Sequence, residues 1–315
     1  MQKKMCFLFP GQGAQYVGMG RDFYNAFPEA RQVFEEADDL MHIKLSDSIF
    51  HNSETELLQT KIAQPAIYVT CIALLRVFEK LFTSNTQPFA CAGLSLGEYT
   101  ALTAAKKLSF QDGLKLVARR GQAMHEACEQ TKGAMSVILG LGDDTVEEIV
   151  RALQLPDELW CANFNCPGQV VISGTVRGIE KGLTACLAQG AKRAIALDVH
   201  GAFHSGLMRP AQEALYEPIT ATKIQKSDIK VATNVTGAFV EEVDEIKELL
   251  LKQVTSPVRW QKAVRTIDTA GCDLYVEIGC GKSLTAMNKR IGVQGRTVSL
   301  EKVEDCKNVE EVLAS

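Results

Sequence analysis

Short apolar runs of strand length alternate with longer segments of helical periodicity along this chain of 315 residues. Residues 5–9 and 89–93 are short and apolar, whereas residues 29–41, 62–82 and 110–129 repeat apolar side chains at helical spacing. Such alternation is typical of a sheet of buried strands that helices cover on both faces. The sequence therefore predicts an α/β fold.

The segment of residues 131–198 has an order of its own. Its predicted elements are a strand, a helix, two strands, a helix and a strand, at residues 134–141, 144–153, 160–165, 169–173, 176–189 and 192–199. This βαββαβ order is the ferredoxin-like arrangement. We predict a large α/β-hydrolase-like catalytic domain formed by residues 1–130 and 199–315. Residues 131–198 would form a ferredoxin-like small subdomain inserted into it.

Composition and charge limit the classes of partner. Charged residues make up 23% of the chain, the formal net charge is −4, and no run of five basic residues occurs. Nucleic-acid-binding proteins usually carry a basic patch, so we expect no nucleic acid partner. The longest apolar segment, residues 62–78, is interrupted by Gln64, Pro65 and Arg76. We therefore expect no membrane span.

The ten cysteines follow no pattern typical of a metal site. No C-x-x-C occurs, and neither Cys161 with Cys166 nor Cys272 with Cys280 has histidines at zinc-ligand spacing. The apolar run of residues 5–9 is shorter than the core of a signal peptide. We expect reduced thiols in the core, no metal, and a cytoplasmic location.

One candidate nucleophile stands at a sharp turn. Gly93, Ser95 and Gly97 match G-x-S-x-G between a predicted strand and a predicted helix, which is where a nucleophile elbow lies. The turn would present the Ser95 hydroxyl at a helix N-terminus, where the N–H of Leu96 can stabilise an oxyanion. The alternative is a glycine-rich turn that contains an incidental serine.

A serine nucleophile needs a base, and the chain offers His42, His51, His125, His200 and His204. His200 and His204 follow a predicted strand, at a position where the loops of α/β sheets commonly carry catalytic groups. Their four-residue spacing is also that of a metal site on a helix. However, the glutamate of H-E-x-x-H is missing, and Gly201 disfavours a helix there.

Several motifs occur in one order, at residues 7–15 (FLFPGQGAQ), 93–99 (GLSLGEY), 120–121 (RG), 163–171 (NFNCPGQVV) and 203–205 (FHS). Together they resemble the malonyl-CoA:acyl carrier protein transacylases, which load malonyl units for fatty acid synthesis. The resemblance extends from residue 5 to about residue 300, and several spaced motifs that agree are more specific than any one of them. This family also carries the βαββαβ insertion.

The resemblance implies a ping-pong acyl transfer. Ser95 would attack the thioester of malonyl-CoA while His204 takes its proton, and His204 would then serve the departing thiolate and the incoming thiol of the carrier protein. The backbone N–H groups of Gln12 and Leu96 would form the oxyanion hole. Coenzyme A enters as a thioester substrate, and no permanently bound cofactor is expected. Alternatively, residues 10–13 are simply a tight turn.

Three further roles come from the resemblance. Arg120, directly before a glycine, would bind the malonyl carboxylate through two parallel hydrogen bonds; the alternative is a solvated helix position. Gln253 would hold His204 through its main-chain carbonyl, or it is an ordinary helix-end residue. Phe203 would block an α-methyl branch in the pocket, or it packs in the core. Leu94 departs from the family, whose members often have histidine before the serine.

Two rival functions share these residues. A serine hydrolase such as a thioesterase would pass the acyl group to water, although hydrolases with this elbow usually have a carboxylate between serine and histidine in the sequence. A noncatalytic acyl-carrier-binding module would not need Ser95 or His204. An acyltransferase for another short acyl group, or a polyketide-like pathway, also remains open. The length is that of a stand-alone enzyme of fatty acid synthesis, and Lys282, Lys289 and Arg290 are candidates for docking an acidic carrier protein.

Overall fold

The computed structural model describes residues 3–82, 87–199 and 201–314. Its strands are β1 (Met5–Phe9), β2 (Ala90–Gly93), β3 (Gly133–Leu139), β4 (Leu159–Cys166), β5 (Gln169–Thr175), β6 (Arg193–Ala196), β7 (Lys230–Ala232), β8 (Leu274–Ile278) and β9 (Arg296–Leu300). They form two sheets. The larger has the order β7-β2-β1-β8-β9 and is parallel throughout.

The helices pack around these sheets. They are α1 (Arg21–Ala26), α2 (Pro28–Met41), α3 (Leu45–Phe50), α4 (Glu54–Leu57), α5 (Thr60–Leu81), α6 (Gly97–Ala104), α7 (Phe110–Gln130), α8 (Asp143–Ala152), α9 (Val176–Ala188), α10 (Arg209–Ala221), α11 (Val243–Gln253), α12 (Trp260–Thr269), α13 (Ser283–Ile291) and α14 (Asp305–Ala314). Local sequence explains several starts. Ser109 caps α7, Thr175 caps α9, and Pro28 opens α2.

The parallel sheet is buried on both faces, as the apolar runs predicted. Alternate side chains of β1 face opposite sides because side chains in a strand alternate. Phe7 and Phe9 belong to the core cluster that contains the apolar residues of α5 and α7. Cys6 and Leu8 belong to a second cluster on the other face, built around Trp260 at the start of α12.

The smaller sheet is antiparallel, with the order β4-β5-β3-β6. Together with α8 and α9 it has the chain order βαββαβ, so the predicted fold class is confirmed. The division of the chain into two domains at the stated boundaries stays a prediction. The last strand is shorter than expected: β6 pairs with β3 and ends at Ala196, although the N–H of Leu197 still donates to the carbonyl of Met135 in β3 at 2.9 Å.

Two backbone hydrogen bonds join the small sheet to the rest of the molecule. The N–H of Phe164 in β4 donates to the carbonyl of Val258 at 2.9 Å, and the N–H of Val258 donates to the carbonyl of Ala162 at 2.8 Å. Arg259, the next residue, forms an ion pair with Glu147 of α8 at 3.3 Å. The segment before α12 therefore anchors β4, and a cleft lies between the two sheets.

The helix α5 corrects one sequence argument. It has 22 residues, and its most apolar 18-residue stretch has a mean hydropathy of 1.4, so by length and composition alone it could cross a membrane despite the three interruptions that the sequence shows. However, 83% of its most apolar stretch is buried inside the protein. Pro65 lies within its first two turns without ending the helix.

All ten cysteines are free thiols, and eight of them are buried. Burial raises the pKa of several of these thiols, for example that of Cys161 to about 12, which keeps them protonated and unreactive. In the part of the chain that the structure describes, no group of three or more histidine, cysteine, aspartate and glutamate side chains is arranged to hold a metal ion.

Candidate active site

Ser95 is the middle residue of the three between the end of β2 at Gly93 and the start of α6 at Gly97, and its φ is 51°. A positive φ is uncommon for a residue with a side chain and is tolerated only where the surroundings enforce it. A Cβ on Gly93 would lie 1.9 Å from the carbonyl carbon of Gly97, and one on Gly97 would lie 2.2 Å from the carbonyl oxygen of Phe9. Both positions therefore require glycine, and the turn has the geometry of a nucleophile elbow.

Asn234, a residue that the sequence did not single out, holds this turn in place. Its Oδ1 accepts the backbone N–H of Ser95 at 2.6 Å, and its Nδ2 donates to the carbonyl of Gly93 at 2.7 Å. The side chain thus spans the elbow from the end of the strand to the serine. Because Asn234 lies 139 residues from Ser95, no local pattern in the chain indicates this role.

His204 meets Ser95 directly. The Nε2 atom of His204 lies 2.7 Å from the Oγ of Ser95. On the other side of the ring, Nδ1 lies 2.9 Å from the carbonyl oxygen of Gln253 and 3.2 Å from that of Ser256. Carbonyl oxygens only accept hydrogen bonds, so Nδ1 carries the proton and the Nε2 lone pair faces the serine hydroxyl. The second candidate base, His200, lies outside the described residues.

Burial keeps the imidazole neutral. His204 is 3% exposed, and its pKa is lowered to about 4, first by burial and second by the positive charge of Arg120. The two carbonyl acceptors act in the opposite direction but more weakly. At neutral pH the ring is therefore an unprotonated base beside a serine hydroxyl.

Arg120 is fully buried, at 0% exposure, on α7. Its Nη2 donates to the Oγ of Ser95 at 3.0 Å and to the Oε1 of Gln253 at 2.9 Å, and its Nη1 donates to the Oε1 of Gln64 at 2.7 Å. These three partners are neutral, so none of the groups bonded to the guanidinium carries a negative charge that compensates it. The neighbouring Arg119 is instead 41% exposed in its side chain and lies 3.9 Å from Glu126.

Gln64 is a second residue whose role the sequence left unassigned. It was noted only as a polar interruption of an apolar helix, and it proves to be 1% exposed. A polar side chain on the buried face of a helix needs a partner, and Gln64 has one in Arg120. That interruption was the available signal.

Two backbone donors flank the serine. Within residues 3–82, 87–199 and 201–314, neither the backbone N–H of Gln12 nor that of Leu96 donates a hydrogen bond. Gln12 follows β1, and Leu96 immediately precedes α6. The loop after β1 approaches the elbow closely, since a Cβ on Gly11 would lie 2.4 Å from the carbonyl oxygen of Leu94. Free N–H groups beside a serine can stabilise a developing oxyanion.

The cleft in front of Ser95 has a volume of about 260 Å³. Its walls come from both sheets: Gln12, Leu94 and Ser95 follow strands of the parallel sheet, and Met135 and Asn165 come from the small sheet. Phe203 and His204 also line this cleft. Phe203 is 7% exposed, so it serves as both cleft wall and core. The Ser95 hydroxyl and His204 therefore line one cleft between the two sheets.

Known proteins resemble this chain in sequence and in structure. The profile of the family described as the acyl transferase domain matches residues 6–309. The malonyl CoA-acyl carrier protein transacylase of Bacillus subtilis (strain 168) is 41% identical over 302 residues, which are 96% of this chain and 94% of that protein.

Solved structures agree as well. The malonyl CoA-acyl carrier protein transacylase of Clostridium perfringens superposes with a TM-score of 0.93 at 36% identity. The match covers 99% of this chain and 97% of that chain. A malonyl-transacylase in complex with its type II polyketide synthase acyl-carrier protein superposes with a TM-score of 0.93 at 34% identity, covering 98% of this chain and 99% of that one. The chain therefore belongs to the acyl transferase domain family and, within it, to the malonyl CoA-acyl carrier protein transacylases.

Proposed function

We propose that this protein transfers a malonyl group from malonyl-CoA to the thiol of acyl carrier protein, through a malonyl ester on Ser95. The observation that carries this proposal is the position of one oxygen. The Oγ of Ser95 lies 2.7 Å from a neutral imidazole nitrogen and 3.0 Å from a buried guanidinium nitrogen. A base and a carboxylate-binding cation thus meet at one nucleophile.

The first half-reaction acylates the serine. As the Ser95 oxygen attacks the thioester carbonyl of malonyl-CoA, His204 takes the hydroxyl proton on Nε2. The carbonyl oxygen becomes an oxyanion, which the N–H groups of Gln12 and Leu96 stabilise. When the carbon–sulfur bond breaks, His204 returns the proton to the departing thiolate, so coenzyme A leaves as the thiol and malonyl-Ser95 remains.

The second half-reaction runs the same steps with a different thiol. The thiol of acyl carrier protein occupies the place of coenzyme A, His204 takes its proton, and the sulfur attacks the malonyl ester. Collapse of the oxyanion breaks the ester bond, and His204 protonates the Ser95 oxygen. The free enzyme is regenerated with no net change of charge or proton count.

Arg120 sets the acyl group that is accepted. Its guanidinium is desolvated, and Gln64, Gln253 and Ser95 are all neutral partners. A carboxylate that arrives beside Ser95 places a negative charge in direct contact with the guanidinium and accepts two parallel hydrogen bonds. Malonyl carries such a carboxylate, whereas acetyl does not. Phe203 lies on the wall of the same cleft, where its ring restricts a branch on the acyl α-carbon.

The acceptors on His204 favour transfer over hydrolysis. Both are main-chain carbonyls, from Gln253 and Ser256, rather than the carboxylate that serine hydrolases use. A neutral acceptor stabilises imidazolium less than a carboxylate does. The base is therefore suited to reversible transfer between a thiol and a hydroxyl. The substrate is a coenzyme A thioester, and no permanently bound cofactor is expected.

The cellular setting is part of the proposal. All ten cysteines are free thiols, which suits a reducing compartment such as the cytoplasm, where fatty acid synthesis would use the product. For carrier docking, Lys282 is already paired with Asp305 at 3.1 Å, and Arg290 donates to Gln169 and Pro167. Lys289, in the last turn of α13, is therefore the strongest of the three docking candidates.

Mass spectrometry of the intact protein tests the function. Incubation with malonyl-CoA should add one malonyl group to Ser95, and the Ser95→Ala variant should add none. Addition of acyl carrier protein bearing its thiol arm should remove the group from the enzyme and place it on the carrier. Release of free malonate at the same rate without a carrier would instead show a hydrolase. No adduct on Ser95 would reject both readings.

A further inference from the structure

Glu98 is a buried carboxylate next to the site that the mechanism above does not use. It lies on α6, three residues after Ser95, and is 1% exposed. Its Oε2 accepts from the Nε2 of Gln253 at 2.6 Å and from the backbone N–H of Asn234 at 3.2 Å. Burying a carboxylate is costly unless donors compensate it. Glu98 therefore fixes the groups that supply those donors.

The first of these groups is the side-chain amide of Gln253. An amide has a donor end and an acceptor end, and its neighbours decide which way it points. Here the NH2 end faces Glu98 and also donates to the Ser95 carbonyl at 3.0 Å, while Oε1 accepts from Arg120 at 2.9 Å. The reversed amide would set oxygen against the carboxylate and NH2 against the guanidinium, and both contacts would be repulsive.

Gln253 also carries the carbonyl that holds His204. Gln253 thus contacts Arg120 through its side chain and His204 through its main chain. The second group bound to Glu98 is Asn234, whose side chain clamps the elbow at Ser95 and Gly93. A single carboxylate is therefore joined by one intervening residue to each of Ser95, His204 and Arg120.

We propose that Glu98 is a positioning residue whose negative charge sets the orientation of the Gln253 amide and, through it, the geometry of Ser95, His204 and Arg120. This rests on the proposed function only for the identity of the acyl donor. The arrangement of serine, base and arginine that it explains is independent of which acyl group is transferred.

The charge on Glu98 changes within the working pH range. Burial raises the pKa of Glu98 to about 7, while the hydrogen bonds from Gln253 and Asn234 and the charge of Arg120 on α7 act in the opposite direction. Tyr99 of the same helix feels the charge of Glu98 in turn; its own pKa is raised to about 12, so it is neutral. Positioning by Glu98 is then complete well above pH 7, half lost near pH 7 and lost well below it.

The test uses phenylmethylsulfonyl fluoride, which sulfonylates an activated serine without any acyl donor. The second-order rate of Ser95 labelling is measured against pH for the wild type, Glu98→Gln, Glu98→Ala and Glu277→Gln. Glu277 is the matched control because it is also buried and binds backbone N–H groups, those of Leu284 and Thr285, away from Ser95. Thermal melting verifies that each variant is folded.

We expect the wild-type rate to fall as the pH drops through about 7, the pKa of Glu98. In Glu98→Gln this inflection should disappear, and the rate should be about tenfold below wild type at high pH and equal to wild type at low pH. The reason is that the glutamine introduced at position 98 has both a donor and an acceptor, so it no longer dictates which end of the Gln253 amide faces it. Glu98→Ala should lose about 100-fold at every pH, which is typical of misplaced catalytic groups. Glu277→Gln should keep the wild-type profile.

The proposal is overturned if Glu98→Gln keeps both the inflection and the wild-type rate at high pH. Should Glu98→Ala fail to fold, the Glu98→Gln profile alone decides. A wild-type protein that is labelled on Ser95 but takes no malonyl group from malonyl-CoA would defeat the proposed function, and the labelling comparison would still decide the role of Glu98.

Discussion

Single residues in this site owe their chemistry to burial. Arg120 and His204 have ordinary side chains that the interior has stripped of water, and the consequence differs for each. The guanidinium stays charged because its pKa is far above neutral, so it attracts an anion. The imidazole loses its charge instead, because burial lowers its pKa to about 4. The same low-polarity interior thus produces a buried cation and a neutral base beside one serine hydroxyl.

Replacing Arg120 with alanine should abolish the preference for malonyl over acetyl donors. The variant removes the cation that binds the malonyl carboxylate, so kcat/KM for malonyl-CoA should fall by about 100-fold or more, while acetyl-CoA loses much less. Arg119→Ala is the matched control, since that neighbour is exposed and bonds Glu126. The measurement is kcat/KM with both donors. Wild-type selectivity in Arg120→Ala would remove Arg120 from substrate recognition.

The lowered pKa of His204 should set the acidic pH at which the labelling rate of Ser95 falls. The base works only when unprotonated, so a pKa of about 4 keeps it active well below the ordinary histidine range. We expect the labelling rate of Ser95 in the Glu98→Gln variant, which lacks the second titrating carboxyl, to stay level until the pH approaches about 4. A decline centred near the ordinary histidine value of 6.5 would contradict the burial argument.

At the scale of elements, the elbow between β2 and α6 is the most demanding junction. The strand and helix approach so closely that backbone atoms occupy the space of a side chain at Gly93 and at Gly97. The G-x-S-x-G motif was therefore informative because it encodes a steric requirement and not only a reactive serine. A local motif of five residues is sufficient for this feature, since all the atoms involved belong to one turn and the end of β1.

Gly93→Ala should destabilise the protein strongly. Its new methyl group would overlap the backbone of Gly97, which cannot rotate away, and we expect a loss of about 3 kcal/mol or more in the free energy of unfolding. Gly142→Ala is the matched control: Gly142 has an ordinary φ of −73°, and its Cβ would meet nothing closer than 3.9 Å. Urea denaturation compares the two. Equal stability of both variants would show that the turn can open.

At the scale of the whole molecule, two buried titrating groups act on stability with opposite sign. Glu98 has a folded-state pKa of about 7 above its ordinary 4.5, so its contribution to stability is present below pH 4.5 and is lost as the pH rises through about 7. His204 has a folded-state pKa of about 4 below its ordinary 6.5, so its contribution is present above pH 6.5 and is lost as the pH falls. The two effects largely cancel between these limits.

The Glu98→Gln variant should break this cancellation. From about pH 5 to about pH 7.5 its free energy of unfolding should rise relative to wild type by about 3 kcal/mol, at about 1.4 kcal/mol for each pH unit of difference between the folded and unfolded pKa values. Chemical denaturation at several pH values measures this difference. A gap between variant and wild type that does not change with pH would mean that Glu98 titrates normally in the folded protein.

The sequence by itself determined several strands and helices within residues 5–129, the βαββαβ order of residues 131–198 and the serine at its turn. These features depend on periodicity and sterics within a few neighbouring residues, which a single chain displays directly. The motifs also selected His204, Arg120 and Gln253 through their resemblance to a family. Residue chemistry alone had left His204 undecided against His200, and Arg120 and Gln253 undecided against ordinary helix positions.

Only the tertiary structure decided how these residues are held. No sequence pattern indicated a role for Gln64, Asn234 or Ser256, and Glu98 was noted only as part of the motif at residues 93–99. Glu98 meets Gln253 across 155 residues of chain and Asn234 across 136. Such contacts arise where α6, the end of α11 and the turn after β7 converge, and that convergence depends on the packing of the whole parallel sheet rather than on any local pattern.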